Sequence, residues 1–203
     1  MGSIYFYGRD IRTYPRKQLA RKLTTVPQSF SLNFDYSVEE VVLMGRYPYI
    51  ERFAKPKKSD LVAVEVALHN LDIYHLRSRK VTQLSGGEKQ RVMIARSLAQ
   101  DTDIILLDEV TSNLDVNHAV SIMKVMRDIV DTRQKTVLAA LHDLNIAAAF
   151  CDELIVIRDG EIAESGDSSE VLSEHLIDDL YQIKSTISKD HRTEKKHIQF
   201  HYL

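Results

Sequence analysis

Hydrophobic and polar positions follow two periods along this chain. Over 3–8, Tyr5 and Tyr7 alternate with Ile4 and Phe6 before Gly8 turns the chain, which predicts a short strand of antiparallel or edge character. Pro15 to Leu19 is expected to begin a short helix, and Leu23 to Val26 to form a strand ended by Pro27. Ser37-Val38-Glu39-Glu40 has capping-box spacing, so a helix is predicted to run through Met44. The stretch Arg46 to Lys58, with two prolines and several charges, reads as a loop. Leu61, Val64 and Leu68 then share one helical face, with Ser59 or Asp60 as the expected cap.

After Gly87, the positions of Val92, Ala95, Leu98 and Ala99 predict an amphipathic helix of roughly three turns. Ile104 to Leu107 is an unbroken aliphatic run, the pattern of a parallel strand buried on both faces. Val116, Val120 and Met123 continue a helical stripe, and Thr136 to Leu141 forms another apolar strand. This alternation predicts an α/β sheet with helices on its faces. Leu154–Arg158, Asp159-Gly160 and Glu161–Ser165 spell a hairpin, Ser168–Leu180 a helix, and 184–203 a polar C-terminal tail. His191, His197 and His201 in that tail are irregularly spaced, so a solvated terminus is expected there rather than a metal site.

A length of 203 residues with 44% apolar content suits one domain with a real core and a small inserted subdomain. The net charge of −2 gives no reason to expect a nucleic-acid partner. A single cysteine, Cys151, at the end of an Ala-rich run rules out an internal disulfide and is expected to be a buried thiol. Neither a signal peptide nor a membrane-spanning run is expected, so a membrane role would go through a partner.

The chemistry concentrates in two places. Ser85-Gly86-Gly87 before a predicted helix joins small residues to a helix N-terminus, a combination that attracts anions. Alone it is a weak signal, since turns use the same residues. The acidic pair Asp108-Glu109 follows at the end of the buried strand, its glutamate twenty-one residues after Glu88. Paired acids there can cap a following helix, or hold a divalent cation and polarise a water.

Leu84-Ser85-Gly86-Gly87-Glu88-Lys89-Gln90-Arg91-Val92 resembles the signature motif of ATP-binding cassette (ABC) ATPases, and the other motifs of that family follow the same order. Ile104 to Glu109 resembles the Walker B strand, Ser112-Asn113-Leu114-Asp115 the D-loop, His142 the switch histidine, and Gln28 after Val26-Pro27 the Q-loop. The resemblance implies an α/β, P-loop NTPase-like ABC ATPase domain over 1–183, with a helical subdomain of about 30–82 inserted. It implies ATP and Mg²⁺ as cofactors: Asp108 and Gln28 on Mg²⁺, Glu109 polarising the attacking water, His142 on the γ-phosphate, and Asp115 coupling two sites across a dimer. Ser85, Gly86 and Gly87 would contact ATP held by the other subunit.

Two departures qualify the match. Position 110 is valine where the family usually has proline, which restores a backbone N–H and is expected to affect the turn modestly. No phosphate loop G-x-x-x-x-G-K-[ST] is present: Gly2, Gly8, Gly45, Gly86, Gly87, Gly160 and Gly166 are none of them followed by lysine. The expectation is a domain lacking its first strand, P-loop and following helix, through a misassigned start, a deletion or gene decay. Placing the absent strand beside Ile104–Leu107 would leave that apolar strand unpaired and the chain weakly stable.

Met44-Gly45-Arg46-Tyr47-Pro48-Tyr49 resembles importer subunits for ferric siderophores, haem and cobalamin. That implies a second ATPase subunit and membrane permease subunits as partners, and a cytoplasmic location on the inner face of the plasma membrane. Phe30, Phe34, Tyr36, Tyr47, Tyr49 and Phe53 are the expected apolar contacts with the permease. Two other readings stand beside this one. The first is a non-catalytic subunit offering Ser85, Gly86 and Gly87 in trans; the second is a DNA-repair ATPase head, whose long heptad coiled coils have no counterpart here.

Overall fold

A computed structural model describes residues 2–28, 35–112 and 114–202. The chain divides into two compact units, 1–140 and 141–203.

The first unit opens with a hairpin, β1 (Tyr5–Phe6) and β2 (Arg9–Asp10), antiparallel as expected but shorter than 3–8. Tyr7 and Gly8 both take positive φ between them, which a two-residue turn of this hand requires. After α1 (Arg16–Leu19), β3 (Leu23–Val26) enters a parallel three-stranded sheet. The order is β3, then β4 (Ile104–Asp108), then β5 (Thr136–Ala140), with Val26 opposite Leu107 and Asp108 opposite Ala140. The Walker-B-like strand is therefore the middle strand, paired on both sides, and among the described residues the outer sides of β3 and β5 are the ones without a strand partner. On β5, Leu138 is 58% exposed. Nor is β4 sealed on both faces: Ile105 and Leu107 are buried while Ile104 and Leu106 are half-buried.

Helices α2 (Val38–Leu43), α3 (Lys58–Asn70) and α4 (Gly86–Gln100) pack together between β3 and β4 in sequence. Val38, Val41 and Val42 meet Val64, Ala67 and Leu68, and both sets close on Val92, Ile94 and Ala95. The α2 capping box is formed: Ser37 Oγ accepts from Glu40 N–H, and Glu40 Oε2 accepts from Ser37 N–H. For α3 the expected cap is wrong. Lys57 is the N-cap, and Asp60 inside the first turn accepts from Lys57 N–H at 2.9 Å. Leu61, expected on the buried face, is 47% exposed. Helix α4 reaches 15 residues, longer than the roughly three turns expected, because it starts at Gly86 itself.

Two polar networks hold this unit. Arg46 Nε donates to Asp60 Oδ1 at 3.0 Å while its Nη1 donates to Ala99 O at 2.8 Å, fastening the start of α3 to the end of α4. Gln100 Nε2 donates to Ala20 O and Leu23 O, and its Oε1 accepts from Thr24, fastening α4 to β3. Helix α5 (Val116–Arg133) buries Ala119, Ile122, Met123, Met126 and Ile129. Val116, expected on that stripe, is 77% exposed because it is the first residue after the cap.

The second unit contains α6 (Leu144–Phe150), the hairpin of β6 (Glu153–Arg158) and β7 (Glu161–Asp167), α7 (Ser168–Val171) and α8 (Glu174–Tyr181). The Asp159-Gly160 turn forms as expected, with positive φ at both residues. The single helix expected over 168–180 is broken at Leu172, which leaves helical geometry to bury its side chain. The expected tail is a second hairpin, β8 (Lys184–Lys189) with β9 (Lys196–His201). Polar neighbours hide the alternation: Ile198, Ile187 and Phe200 pack around Ile177 and Ala148. Asn145 exchanges two hydrogen bonds with the backbone of Ile198 and so satisfies the edge of β9. Cys151, at the end of α6, is half-buried. Phe30, Phe34 and Asn113 lie outside the described residues. Among the described residues no helix is long and apolar enough to cross a membrane.

Candidate functional site

In a parallel sheet every strand presents its C-terminal end on the same side, where ligands of α/β proteins bind. The in-register pairing of β3 with β4 therefore delivers Gln28, two residues past Val26, beside Glu109, two residues past Leu107. The two side chains meet: Gln28 Nε2 donates to Glu109 Oε2 at 2.5 Å. Glu109 adopts φ 47, a left-handed conformation uncommon for a non-glycine residue, and the turn beyond it closes as Ser112 N–H and Oγ both donate to Glu109 O. Val110 is buried in the core there. Asp108, at the end of β4, is exposed.

The second cluster sits at the start of α4. Ser85 is the N-cap; its Oγ accepts from Glu88 N–H, and Glu88 Oε2 accepts from both Ser85 N–H and Ser85 Oγ at 2.7 Å. Those bonds, the Ser85 hydroxyl first and its backbone N–H second, hold the Glu88 carboxyl below its ordinary range against a small opposing effect of burial. A carboxyl depressed in the folded chain contributes stability above its unfolded value, and loses it as the pH falls through the folded one. We expect Ser85 and Glu88 amide hydrogen-exchange protection to persist until the pH is below the usual glutamate range. Amide exchange followed against pH would show the cap already open at the ordinary glutamate value if this is wrong.

Nothing lies within 4 Å of a Cβ placed on Gly86, and Gly87 would meet only the Leu114 side chain at 3.6 Å. Beside this cap lies a cavity of about 340 Å³, lined in part by Ser85, Gly87, Arg91, Leu114, Asp115 and His118. Asp115 caps α5, accepting from His118 N–H at 2.9 Å, and its other oxygen pairs with His118 Nδ1 at 2.7 Å. These bonds, the backbone one first, lower the Asp115 carboxyl's pKa. The structure thus unites Gln28, Asp108 and Glu109 at one end of the sheet and gathers Ser85, Gly87 and Asp115 round the cavity. No hydrogen bond or ion pair among the described residues links the two sets. His142 lies in the second unit, exposed, just before Asp143, the N-cap of α6.

A profile of the family described as "ABC transporter" matches residues 1–112, more than half the chain. The chain belongs to the ABC transporter family. It is 38% identical over 192 residues to the cobalamin import ATP-binding protein BtuD of Halobacterium salinarum, covering 95% of this chain and 48% of that protein. It is 35% identical over 189 residues to the ferric enterobactin transport ATP-binding protein FepC of Escherichia coli, covering 93% and 70%. The chain thus spans about half the length of the first of these ABC relatives and about two thirds of the second. Among solved structures, a metal-chelate type ABC transporter in an inward-facing conformation matches with a TM-score of 0.81 at 32% identity, covering 89% of this chain and 73% of that one. The α/β architecture is that of an ABC ATPase cassette.

ABC ATPases use ATP and Mg²⁺, and the residues present fit these two unequally. Mg²⁺ takes oxygen donors, which Asp108 and Gln28 offer at the strand ends, although no group of three His, Cys, Asp or Glu among the described residues is placed to hold a metal unaided. A nucleotide's phosphates need a glycine-rich cradle and a lysine. No stretch of this sequence has that pattern, so these residues do not by themselves fit a bound ATP.

Sequence reasoning missed the bonds of Arg46 to Asp60 and Ala99 and those of Gln100, which fasten the end of α4 to α3 and β3, and the direct Gln28–Glu109 contact. Arg46 carried a signal: it lies in the importer-like stretch, directly after Gly45.

Proposed function

We propose that the chain is the ATP-binding and hydrolysing subunit of an ABC importer for a ferric siderophore, haem or cobalamin, working with membrane permease subunits at the inner face of the plasma membrane. The observation that carries this reading is the contact between Gln28 and Glu109 beside Asp108, at the ends of two parallel strands. The importer functions printed for its relatives support the substrate class. In this reading Glu109 orients a water and Asp108 and Gln28 hold Mg²⁺, while His142 keeps the γ-phosphate role that the family resemblance implies. The 203-residue chain alone turns over no ATP, for want of the phosphate cradle.

A second reading is favoured by the open start of α4. Neither Gly86 nor Gly87 has a positive φ or backbone crowding to justify it, and alanine would favour the helix by up to about 1 kcal/mol at each. A group from outside the chain approaching that backbone accounts for both glycines. The chain then serves as a subunit presenting Ser85, Gly86 and Gly87 to nucleotide held by a second ATPase subunit.

The permease is proposed to dock on the segment of α2 and α3, where Tyr36 and Tyr47 are exposed. Tyr49 is spoken for, its ring lying under the guanidinium groups of Arg46 at 4.0 Å and Arg21 at 5.2 Å. The test is uptake of labelled ferric hydroxamate, ferric catecholate, haem and cobalamin by cells with and without the gene. Dependence of one chelate on the gene is expected; uptake of all four unchanged, with no permease co-purifying, would sink the importer reading.

A further inference from the structure

The net charge of −2 conceals a strong division. Residues 1–58 hold eleven Lys and Arg against five Asp and Glu, and the remaining residues hold sixteen against twenty-four. A split of this size points to an acidic partner for the basic part.

The structure brings several of those cations together on the first unit, while Arg46, Arg12 and Lys22 are paired with Asp60, Asp10 and Asp103. Lys17 Nζ donates to Ile50 O at 2.9 Å and Arg21 Nε to Pro48 O at 2.9 Å, so the segment around α1 lies against the loop before α3. Tyr49, held by Arg21 and Arg46, cements the same junction. Residues 51–59 are exposed without a break and carry Arg52, Lys55, Lys57 and Lys58. Among the described residues Arg52, Lys55, Lys58, Arg16, Lys17 and Arg21 form no ion pair with a carboxylate, and Lys57 meets Asp60 through its backbone N–H.

In the middle of that run Phe53 is 93% exposed, with φ 67 and the Arg52 guanidinium 5.0 Å from its ring. A left-handed phenylalanine is uncommon, and here the conformation holds a large apolar ring out among four cations. A single aromatic anchor within a basic loop is the composition that settles at a headgroup boundary, ring in the acyl margin and cations on the phosphates. A bilayer also asks for no shape match. That suits an exposed run of scattered cations better than recognition of a nucleic-acid groove or a docked helix does.

We propose that this surface, residues 9–22 together with 50–58, binds directly to an anionic phospholipid bilayer, with Phe53 as its apolar anchor. The contact is separate from the docking of the permease and holds the chain to the membrane face without it.

The test is co-sedimentation of the full 203-residue chain with phosphatidylglycerol-containing vesicles and with pure phosphatidylcholine vesicles. These hold no permease, nucleotide or chelate, so the outcome is independent of the importer reading. Binding is expected to the anionic vesicles alone and to be released at about 1 M salt, where screening shortens to roughly 3 Å. The variant R52E/K55E/K57E/K58E should partition at least about a hundredfold more weakly, and Phe53→Ser about tenfold more weakly. K189E/K195E, on the other unit, should bind as the parent does. The neutral set R52Q/K55Q/K57Q/K58Q serves if the charge-reversed chain fails to match the parent's urea midpoint. Equal binding to both vesicles, full retention by either basic-loop variant, or preference for duplex DNA over anionic vesicles would overturn the proposal. So would a Phe53 crosslink to the permease without any binding to vesicles.

Discussion

Gly45→Ala will destabilise the first unit by about 3 kcal/mol, and urea denaturation will show it as a large fall in the midpoint with little change in slope. An ideal Cβ on Gly45 would stand 2.2 Å from Arg96 O and 3.2 Å from Gln100 N. Both are backbone atoms in the middle and last turns of α4, so no side-chain rotation relieves the overlap; the helices must separate. Separation breaks more than one contact, because Arg46, the next residue, fastens Asp60 to Ala99 across the same junction. Asp60 and Arg46 are both largely buried, and a charge stranded there costs about 3–5 kcal/mol. Gly86→Ala is the control. With nothing within 4 Å and ordinary helical φ, it should leave the midpoint unchanged or raise it slightly. A Gly45→Ala midpoint within experimental error of the parent would mean that α4 has room to move, and the tight crossing would lose its role.

The contrast between these glycines shows what the sequence could and could not disclose. Gly86 and Gly87 were legible as part of a nine-residue signature, since the chemistry of that site is written in contiguous residues. Gly45 was legible only as part of a subgroup motif; its packing against Arg96 spans about fifty residues of chain and appears only once the 3-10 turn after α2, Met44–Arg46, meets α4. The strands at Leu23–Val26, Ile104–Leu107 and Thr136–Leu141 were read closely, because short apolar runs bounded by Pro27, Asp108 and His142 mark themselves. Their order was not. Which neighbour Ile104–Leu107 takes depends on crossovers through α2 to α5, so the expectation of an unpaired middle strand failed, and the open sides fell to β3 and β5. The terminal hairpin was missed for a different reason: only Ile187, Ile198 and Phe200 of its twelve strand residues pack against the small core of the second unit, too few to raise a period-two signal. Net charge misled in the same way. A sum over 203 residues cannot report that several of the cations come together on the first unit.

Added to an ATPase subunit that carries its own phosphate loop, together with the permease, the chain should restore ATP turnover through its signature segment, and Gly86→Val should remove at least about a hundredfold of that rate. Helix α4 carries what that role needs. Its first turn has backbone N–H groups without intrahelical partners, the helix is 15 residues long, and Ser85 and Gly86 are exposed. The capping box consumes only the N–H groups of Ser85 and Glu88, leaving those of Gly86 and Gly87 to face an approaching anion. A valine at 86 meets no atom of this chain within 4 Å of its Cβ, so the fold survives while the approach is blocked. The substitution therefore separates the trans role from stability, which Glu109→Gln tests from the other side. If this chain's own acids have no nucleotide to act on, Glu109→Gln will leave the mixed rate unchanged. Equal losses from Gly86→Val and Glu109→Gln would instead mean that both halves of the site turn over ATP. Unchanged turnover with Gly86→Val, in a mixture where the two subunits demonstrably associate, would remove the trans reading altogether.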